Sequence, residues 1–265
     1  MSLSFPTTTL KKPSGLKATS GIKRPAFGAL YGFDSSGDDA GGGASFTNQY
    51  SVSFDGTDDY INIPHNSVFN ITGSITISAW FKLDSNSQYM TFLSKRASGS
   101  VAFQFYNTLT GAGYDGNLRF APGDGSAYAG NSQIPTGSWN HGAIVVDNNS
   151  YTFYLNGNVD GTGSFTLNTT NSADLTIGRL GDTSNYGDGN VDEVAIFNTA
   201  LSSSDITAIY NSGLPADISS LNPVGWWRMG DGTEAGSGTT VFDMSTNSNN
   251  GTLTNGPTFS TTVPS

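Results

Sequence analysis

Apolar residues in this chain recur with a period of two, in short runs that turn residues close, and that rhythm points to β-structure. In "SITISAWFKL" Ile75, Ile77, Ala79 and Phe81 fall on one face of a strand, and Ser74, Thr76, Ser78 and Trp80 on the other. "VAFQFYN" alternates at Val101, Phe103 and Phe105, and in "SVSFDGTDDYINIP" Val52 and Phe54 alternate before a turn at Asp55-Gly56. "HGAIVVDNNSYTFYLNGN" reads as a hairpin with Asp147 to Ser150 as its turn and a second turn at Asn156-Gly157; "DLTIGR" and "VDEVAIFN" add further strands. Such a series predicts an all-β, two-sheet antiparallel sandwich. One helix interrupts it. In "LSSSDITAIYNSG" Ser202 can cap with Asp205, Ile206, Ile209 and Tyr210 form one stripe, and Gly213 offers a stop, so a helix is predicted over about residues 203 to 211.

Composition agrees with strands and tight turns: aromatics reach 12%, charged residues only 12%, and glycine numbers 34. Cysteine is absent, so neither disulfides nor thiolate metal sites can hold the fold. The net charge of -10 hides an asymmetry, because five of the eleven basic residues (Lys11, Lys12, Lys17, Lys23 and Arg24) precede the first acid, Asp34. The acidic remainder argues against nucleic-acid binding, which depends on neutralising phosphates. Residues 1 to 33 read as an extended basic arm, residues 34 to 45 as a Gly/Ser/Asp linker, and residues 46 to 265 as the folded body. The start of the chain lacks an apolar stretch of signal-peptide length and no segment is long enough to span a bilayer, which predicts synthesis in a cytoplasm and no membrane insertion.

"SVSFDGTDDYINIP", "SITISAWFKL", "SWNHGAIVVDNNSYTFYLNGN", "LTIGR" and "VDEVAIFNTALSSSDITAIYNSG" follow one another in an order that resembles laminin-G-like, concanavalin A-like jelly-roll domains. The resemblance covers roughly residues 46 to 213 and implies two curved sheets packed face to face, a fold used mostly to bind glycans or proteins, often with calcium nearby. The tail departs from the family's order. "VGWWRMGDGTEAGSGTTVFDMSTNSNNGTLTNGP" resembles a lead-in that such domains carry before their first strand, yet here it follows the helix. Residues 224 to 259 are therefore expected to complete the sandwich from its other end, as in a circular permutation. Adjacent residues of a strand point to opposite faces, so at most one of Trp226 and Trp227 can be a sugar platform, and packing is the favoured role for the pair.

No catalytic set emerges. A glycosidase needs two cooperating carboxyl groups, and the chain has only two glutamates, Glu193 and Glu234. Strand alternation sends Asp192 and Glu193 to opposite faces. His65 and His141 fit no triad or metal spacing and read as turn or surface residues. Calcium is the one cofactor worth weighing: "GDTSNYGDGNVDE" supplies Asp182, Asp188, Asn190 and Asp192, and "FDGTDD" supplies Asp55, Asp58 and Asp59, although these acids can equally serve Asx turns. For a bound glycan the candidate contacts are Tyr114, Asp115, Asn117, Tyr128, Asn131 and Tyr186, loop tyrosines and polar groups of adaptable kind.

These features support three readings. The first is a non-enzymatic structural or adhesive protein of a virion surface, such as a bacteriophage decoration protein or tail adhesin, whose basic arm docks on other virion proteins and whose jelly roll meets a cell-surface glycan, with oligomerisation left open. The second is a free carbohydrate-binding lectin module. The third, a glycoside hydrolase, lacks the glutamate pair.

Overall fold

The hydrophobic alternation is realised as two sheets whose inner faces share one core. In the computed structural model the described residues are 46–110, 116–167 and 170–265, and the compact body begins at Phe46. The first sheet contains β1 (Ser51–Asp55), β3 (Ile75–Leu83), β8 (Trp139–Asp147), β9 (Ser150–Leu155), β10 (Asn158–Ser164), β12 (Asp188–Phe197), β13 (Gly225–Trp227) and β16 (Thr258–Ser260). The second contains β2 (Tyr60–Ile63), β4 (Thr91–Ala97), β5 (Ser100–Asn107), β6 (Asn117–Ala121), β7 (Tyr128–Gln133), β11 (Leu175–Ile177), β14 (Thr240–Val241) and β15 (Gly251–Thr254). Strand order is β10-β9-β8-β3-β12-β1-β16 in the first, with β13 also paired to β12, and β14-β15-β2-β11-β4-β5-β6-β7 in the second. This is the two-sheet antiparallel sandwich that the alternation implied, in the jelly-roll form that the resemblance implied.

Ile75, Ile77, Ala79 and Phe81 of β3 face Phe92, Phe103 and Phe105 of the second sheet in that core, and Phe81 stacks on Phe92 with ring centroids 4.1 Å apart. The β8–β9 hairpin turns through Asn148, and the next turn places Asn156 and Gly157 at φ 50° and 75°, the left-handed pair that Asn-Gly adopts cheaply. The tail enters both sheets: β13 pairs with β12, β15 with β2, and β16 with β1.

The second face of β3 is also buried, beneath helix α1 (Ser203–Tyr210). Its start is the reciprocal cap expected, the Ser202 hydroxyl accepting from the Asp205 amide while the Asp205 carboxylate accepts from the Ser202 amide. Ile206 and Ile209 pack on Ala143, Ala195, Phe197 and Trp226, and Tyr210 stacks over Trp80 at 5.8 Å. This cover corrects the reading of His141 as a turn or surface residue. It lies across from Trp80 in the β3–β8 register, is 0% exposed, and is pushed by burial to a pKa of about 3, so its imidazole is neutral.

Candidate functional site

Alternation on the second sheet leaves a second set of side chains pointing away from the core. Inward Phe103 and Phe105 of β5 leave Gln104 and Tyr106 outward; inward Leu118 and Phe120 of β6 leave Arg119 and Ala121 outward. Gln104, Tyr106, Arg119 and Ala121, with residues of the 123–127 turn, line a hollow of about 360 Å³. Its floor is a small apolar patch in which Tyr106, Ala121 and Leu180 are buried and Tyr89, Val101 and Ala127 pack against them. Tyr89 meets Tyr106 edge-on at 5.8 Å and also lines a second hollow of about 210 Å³ with Gly56, Gln88, Asn185 and Tyr186. The two hollows are thus joined through the Tyr89–Tyr106 pair, giving one surface with aromatic edges, a planar amide and a guanidinium.

The acidic turn lies beside the second hollow. Asp55, Asp58 and Asp59 bring carboxylate oxygens within 4.8 Å of one another. Oxygens bound to Ca2+ at about 2.3–2.6 Å cannot be more than about 5 Å apart, so the set fits one divalent cation such as calcium. Asp55 Oδ1 accepts from the Thr57 amide at 2.8 Å and Asp59 Oδ2 from the Asp55 amide at 3.1 Å, each using one carboxylate oxygen and holding the turn in shape. Burial, partly offset by that amide bond and reinforced by Asp55 and Asp58, raises the Asp59 pKa. Asp188 stands opposite Asp55 in the β1–β12 register, and burial, Asp84 and Asp55 raise its pKa as well.

The metal set read from the 182–192 segment does not converge. Asp182 accepts from the Ser98 amide and pairs with Arg96 at 3.4 Å; Asn190 donates to the Ser51 hydroxyl at 3.1 Å; Asp192 is 0% exposed, accepting from Asn48 at 2.9 Å and from the Glu193 amide at 2.8 Å. Only Asp188 borders the acidic turn, opposite Asp55, and it lies outside the set whose oxygens converge. The reason is geometric: alternate residues of a strand lie roughly 7 Å apart, whereas a turn folds its residues back on one point.

Of the glycan contacts read from the loops, Tyr186 lines the smaller hollow. Asn117 donates to the Gly130 carbonyl at 2.8 Å and so ties β6 to β7. Tyr128 turns to the β7 edge, packing on Tyr151 and Phe165 and donating to Asp124 at 3.1 Å, and Asn131 is exposed on the same strand. Tyr114 and Asp115, and the arm residues Lys11, Lys12, Lys17, Lys23 and Arg24, lie outside the described residues. The residues missed were Tyr89, Gln104, Tyr106 and Arg119. The signal for three of them was present, since they occupy the alternate positions of strands whose inward positions were legible.

The reading of Asp192 and Glu193 on opposite faces is also corrected. The β3–β12 register shifts between Asp192 and Ala195, and Glu193 has φ 46°, so a bulge swings both carboxylates under residues 46–50. Asn48 binds Asp192, while Arg228 binds Glu193 at 2.9 Å and donates to the Thr47 carbonyl. Asp231, 3.8 Å from Arg228, accepts from the Gln49 and Tyr50 amides. Trp226 donates its indole N–H to Glu193 at 2.6 Å, and the Phe46 ring covers Arg228 at 4.2 Å. The network clamps the start of the body; it borders neither hollow.

Burial raises the Glu193 pKa to about 7 against the pull of Arg228 and Trp226, and burial raises Asp192 and Asp231 too. A carboxyl whose folded pKa exceeds its unfolded value favours folding fully below the unfolded value and loses that contribution as pH rises through the folded one. Stability is therefore expected to fall between about pH 4.5 and 7 on account of Glu193. Urea midpoints across that range check this. Glu193→Gln should be less stable throughout, since Arg228 and Trp226 donate to different oxygens of Glu193 and glutamine replaces one of them with an NH2 donor, and should flatten the slope; a wild-type midpoint that climbs across the window would contradict it.

Residues 55–207, more than half of the chain, match the family described as the concanavalin A-like lectin/glucanases superfamily. No curated protein matches the sequence. Among solved structures, a protein from Bacteroides ovatus provisionally described as carbohydrate binding superposes with a TM-score of 0.66 at 21% identity, over 83% of this chain and 62% of its own. The heptameric SAP-like pentraxin of Limulus polyphemus superposes with a TM-score of 0.53 at 16% identity, over 63% of this chain and 84% of its own. This chain thus spans less than two thirds of the Bacteroides protein, and at these identities the likeness is one of fold.

Proposed function

We propose, from the premise that this chain belongs to the concanavalin A-like lectin/glucanases superfamily, that residues 46–265 are a carbohydrate-binding module which holds its ligand on the outer face of the second sheet. The observation that carries this reading is the hollow lined by Gln104, Tyr106 and Arg119. A sugar ring presents an apolar face and a rim of hydroxyls; the Tyr106–Leu180 patch suits the first, and the amide and guanidinium suit the second. The module binds and does not cleave. Glu193 is engaged with Arg228 and Trp226, and Glu234, 8% exposed, accepts from the Phe242 amide, so neither glutamate faces a hollow as a general acid would. A divalent cation held by Asp55, Asp58 and Asp59 would fix the turn that flanks Gly56 and Tyr186.

The purified protein, screened on a broad glycan panel with calcium and again with chelator, should bind a subset of glycans and bind them more weakly in chelator. Gln104→Ala should lower affinity at least tenfold by the loss of a buried polar contact. A panel without any binding would overturn the proposal; binding that chelator leaves unchanged would detach the acidic turn from the site.

A second reading, docking on a virion surface through residues 1–33, has only the charge asymmetry of the arm behind it. The family and the fold favour the binding module.

A further inference from the structure

We propose that the ligand is the interior of a linear glycan chain, laid along three consecutive hollows, and not a single terminal sugar. The inference rests on the carbohydrate-binding reading above and narrows it. Beside the two hollows already described lies a third, of about 390 Å³, among Asp124, Tyr128, Asn149, Ser164, Phe165 and Thr166. It shares a wall with the hollow of Gln104 and Tyr106. Where β6 passes into β7, Gly123, Gly125, Ser126 and Ala127 line one side of the turn, and Asp124 and Tyr128 line the other.

Register sets the three in series. Tyr106 stands opposite Arg119 and Gln104 opposite Ala121, so β6 runs from the Tyr106 end of β5 toward the Val101 end and delivers the turn there. Val101 and Tyr106 are separated by about 17 Å of strand, at about 3.3 Å per residue. At the far end Tyr106 meets Tyr89, which opens on the hollow of Gly56, Gln88 and Tyr186. The turn thus closes one end of the first hollow and the tyrosine pair the other, and the remaining hollows extend it in opposite directions.

Each hollow repeats one chemistry. Gln88 and Asn185 stand with Tyr186, Gln104 with Tyr106, and Asn149 with a cluster in which the rings of Tyr128, Tyr151 and Phe165 lie 5.0 to 5.4 Å apart. A carboxamide offers a donor and an acceptor in one plane, which neighbouring sugar hydroxyls can answer, and an aromatic ring takes the apolar face of the sugar. One such set suits one sugar; the same set three times along a line suits a chain with a repeat. Gln88, Asn149, Ser164 and Asn185 are exposed, and Tyr89, Tyr128 and Tyr186 partly so, which leaves both outer hollows open to a chain that continues. A site for one terminal sugar would instead gather its polar groups around one cleft. Once the central hollow holds one sugar, its neighbours meet the outer hollows at high effective concentration, so affinity rises with chain length until the track is filled.

The test is calorimetric titration of the full chain with size-graded series, disaccharide to octasaccharide, of β-1,4-linked glucose, mannose and xylose and of every linear glycan that the broad panel captures. In at least one series the octasaccharide should bind tenfold or more tightly than the disaccharide, and blocking its non-reducing end should leave that affinity unchanged. Asn149→Ala and Gln88→Ala should each cut the gain with length several-fold without moving the thermal midpoint. Equal affinity for disaccharide and octasaccharide in every series that binds, loss of binding when the end is blocked, capture of short terminal sugars alone, or a gain that survives both substitutions would overturn the chain assignment and leave the carbohydrate reading standing. Failure to bind any sugar in the series or on the panel would instead overturn the reading beneath it.

Discussion

Arg228→Ala is expected to destabilise the body by about 3–5 kcal/mol, the cost typical of stripping one partner from a buried ion pair. Arg228 is 9% exposed and stands against two carboxyl groups, Glu193 at 2.9 Å and Asp231 at 3.8 Å, which in turn repel the neighbouring Asp192. Without the guanidinium, burial would act on Glu193 and Asp231 with no opposing charge, and the Thr47 carbonyl would lose its donor. For a body of this size the thermal midpoint should drop by on the order of ten degrees. Pairing the substitution with Glu193→Gln should recover part of the loss, because it removes one of the stranded charges. Arg228→Lys should fall between, since an ammonium cannot reach Glu193, Asp231 and Thr47 together as the guanidinium does. Residues 46–50 should also become sensitive to limited proteolysis, as four of the contacts that hold them run through this network. A midpoint within about a degree of wild type would contradict the account of the clamp.

Trp227→Ala is expected to cost a similar amount, about 3–5 kcal/mol, by a different mechanism. The Trp227 ring is 0% exposed between the sheets, tilts against Phe69 at 6.0 Å, and donates its indole N–H to the Asn249 carbonyl at 2.9 Å. Removing it leaves a void that the paired β12 and β13 cannot close, and an acceptor without its donor. Its neighbour Trp226 faces the other way, into the layer of α1, where Phe46 stacks on it at 6.4 Å and 7°. Neither ring borders the two hollows, so neither is a sugar platform. Thermal melts and glycan titrations of Trp226→Phe and Trp227→Phe separate the roles. Both variants should melt lower and bind as wild type does; lost binding with an unchanged melt would identify a platform instead.

The sandwich itself was legible because inward and outward positions alternate without exception through stretches such as Ile75–Phe81, and the helix because Ser202 and Asp205 write its cap into four residues. What covers a strand's second face was not legible. Trp80 and His141 read as an outer face, and only the docking of α1 encloses them, since periodicity reports a side but not its neighbour. The Asp192–Glu193 bulge escaped for a related reason: a single residue at φ 46° inverts the facing of its neighbours, and glutamate gives no warning of a left-handed backbone as glycine or asparagine would. For the site, attention to loop tyrosines favoured Tyr128 and Tyr186 over Gln104, Tyr106 and Arg119, which sit in the middle of strands. A jelly roll can present its ligand surface from the sheet itself, and there the informative positions are polar and aromatic residues at alternate places opposite a run of phenylalanines.

The central claim is that a glycan rests on the outer face of the second sheet. Chemical-shift mapping of the assigned backbone amides, with a glycan captured on the panel titrated in, tests that most directly. The account predicts perturbations gathered around Arg96, Gln104, Tyr106, Arg119 and residues 179–186. Perturbations confined to the first sheet or to the β7 edge around Tyr128 would contradict it.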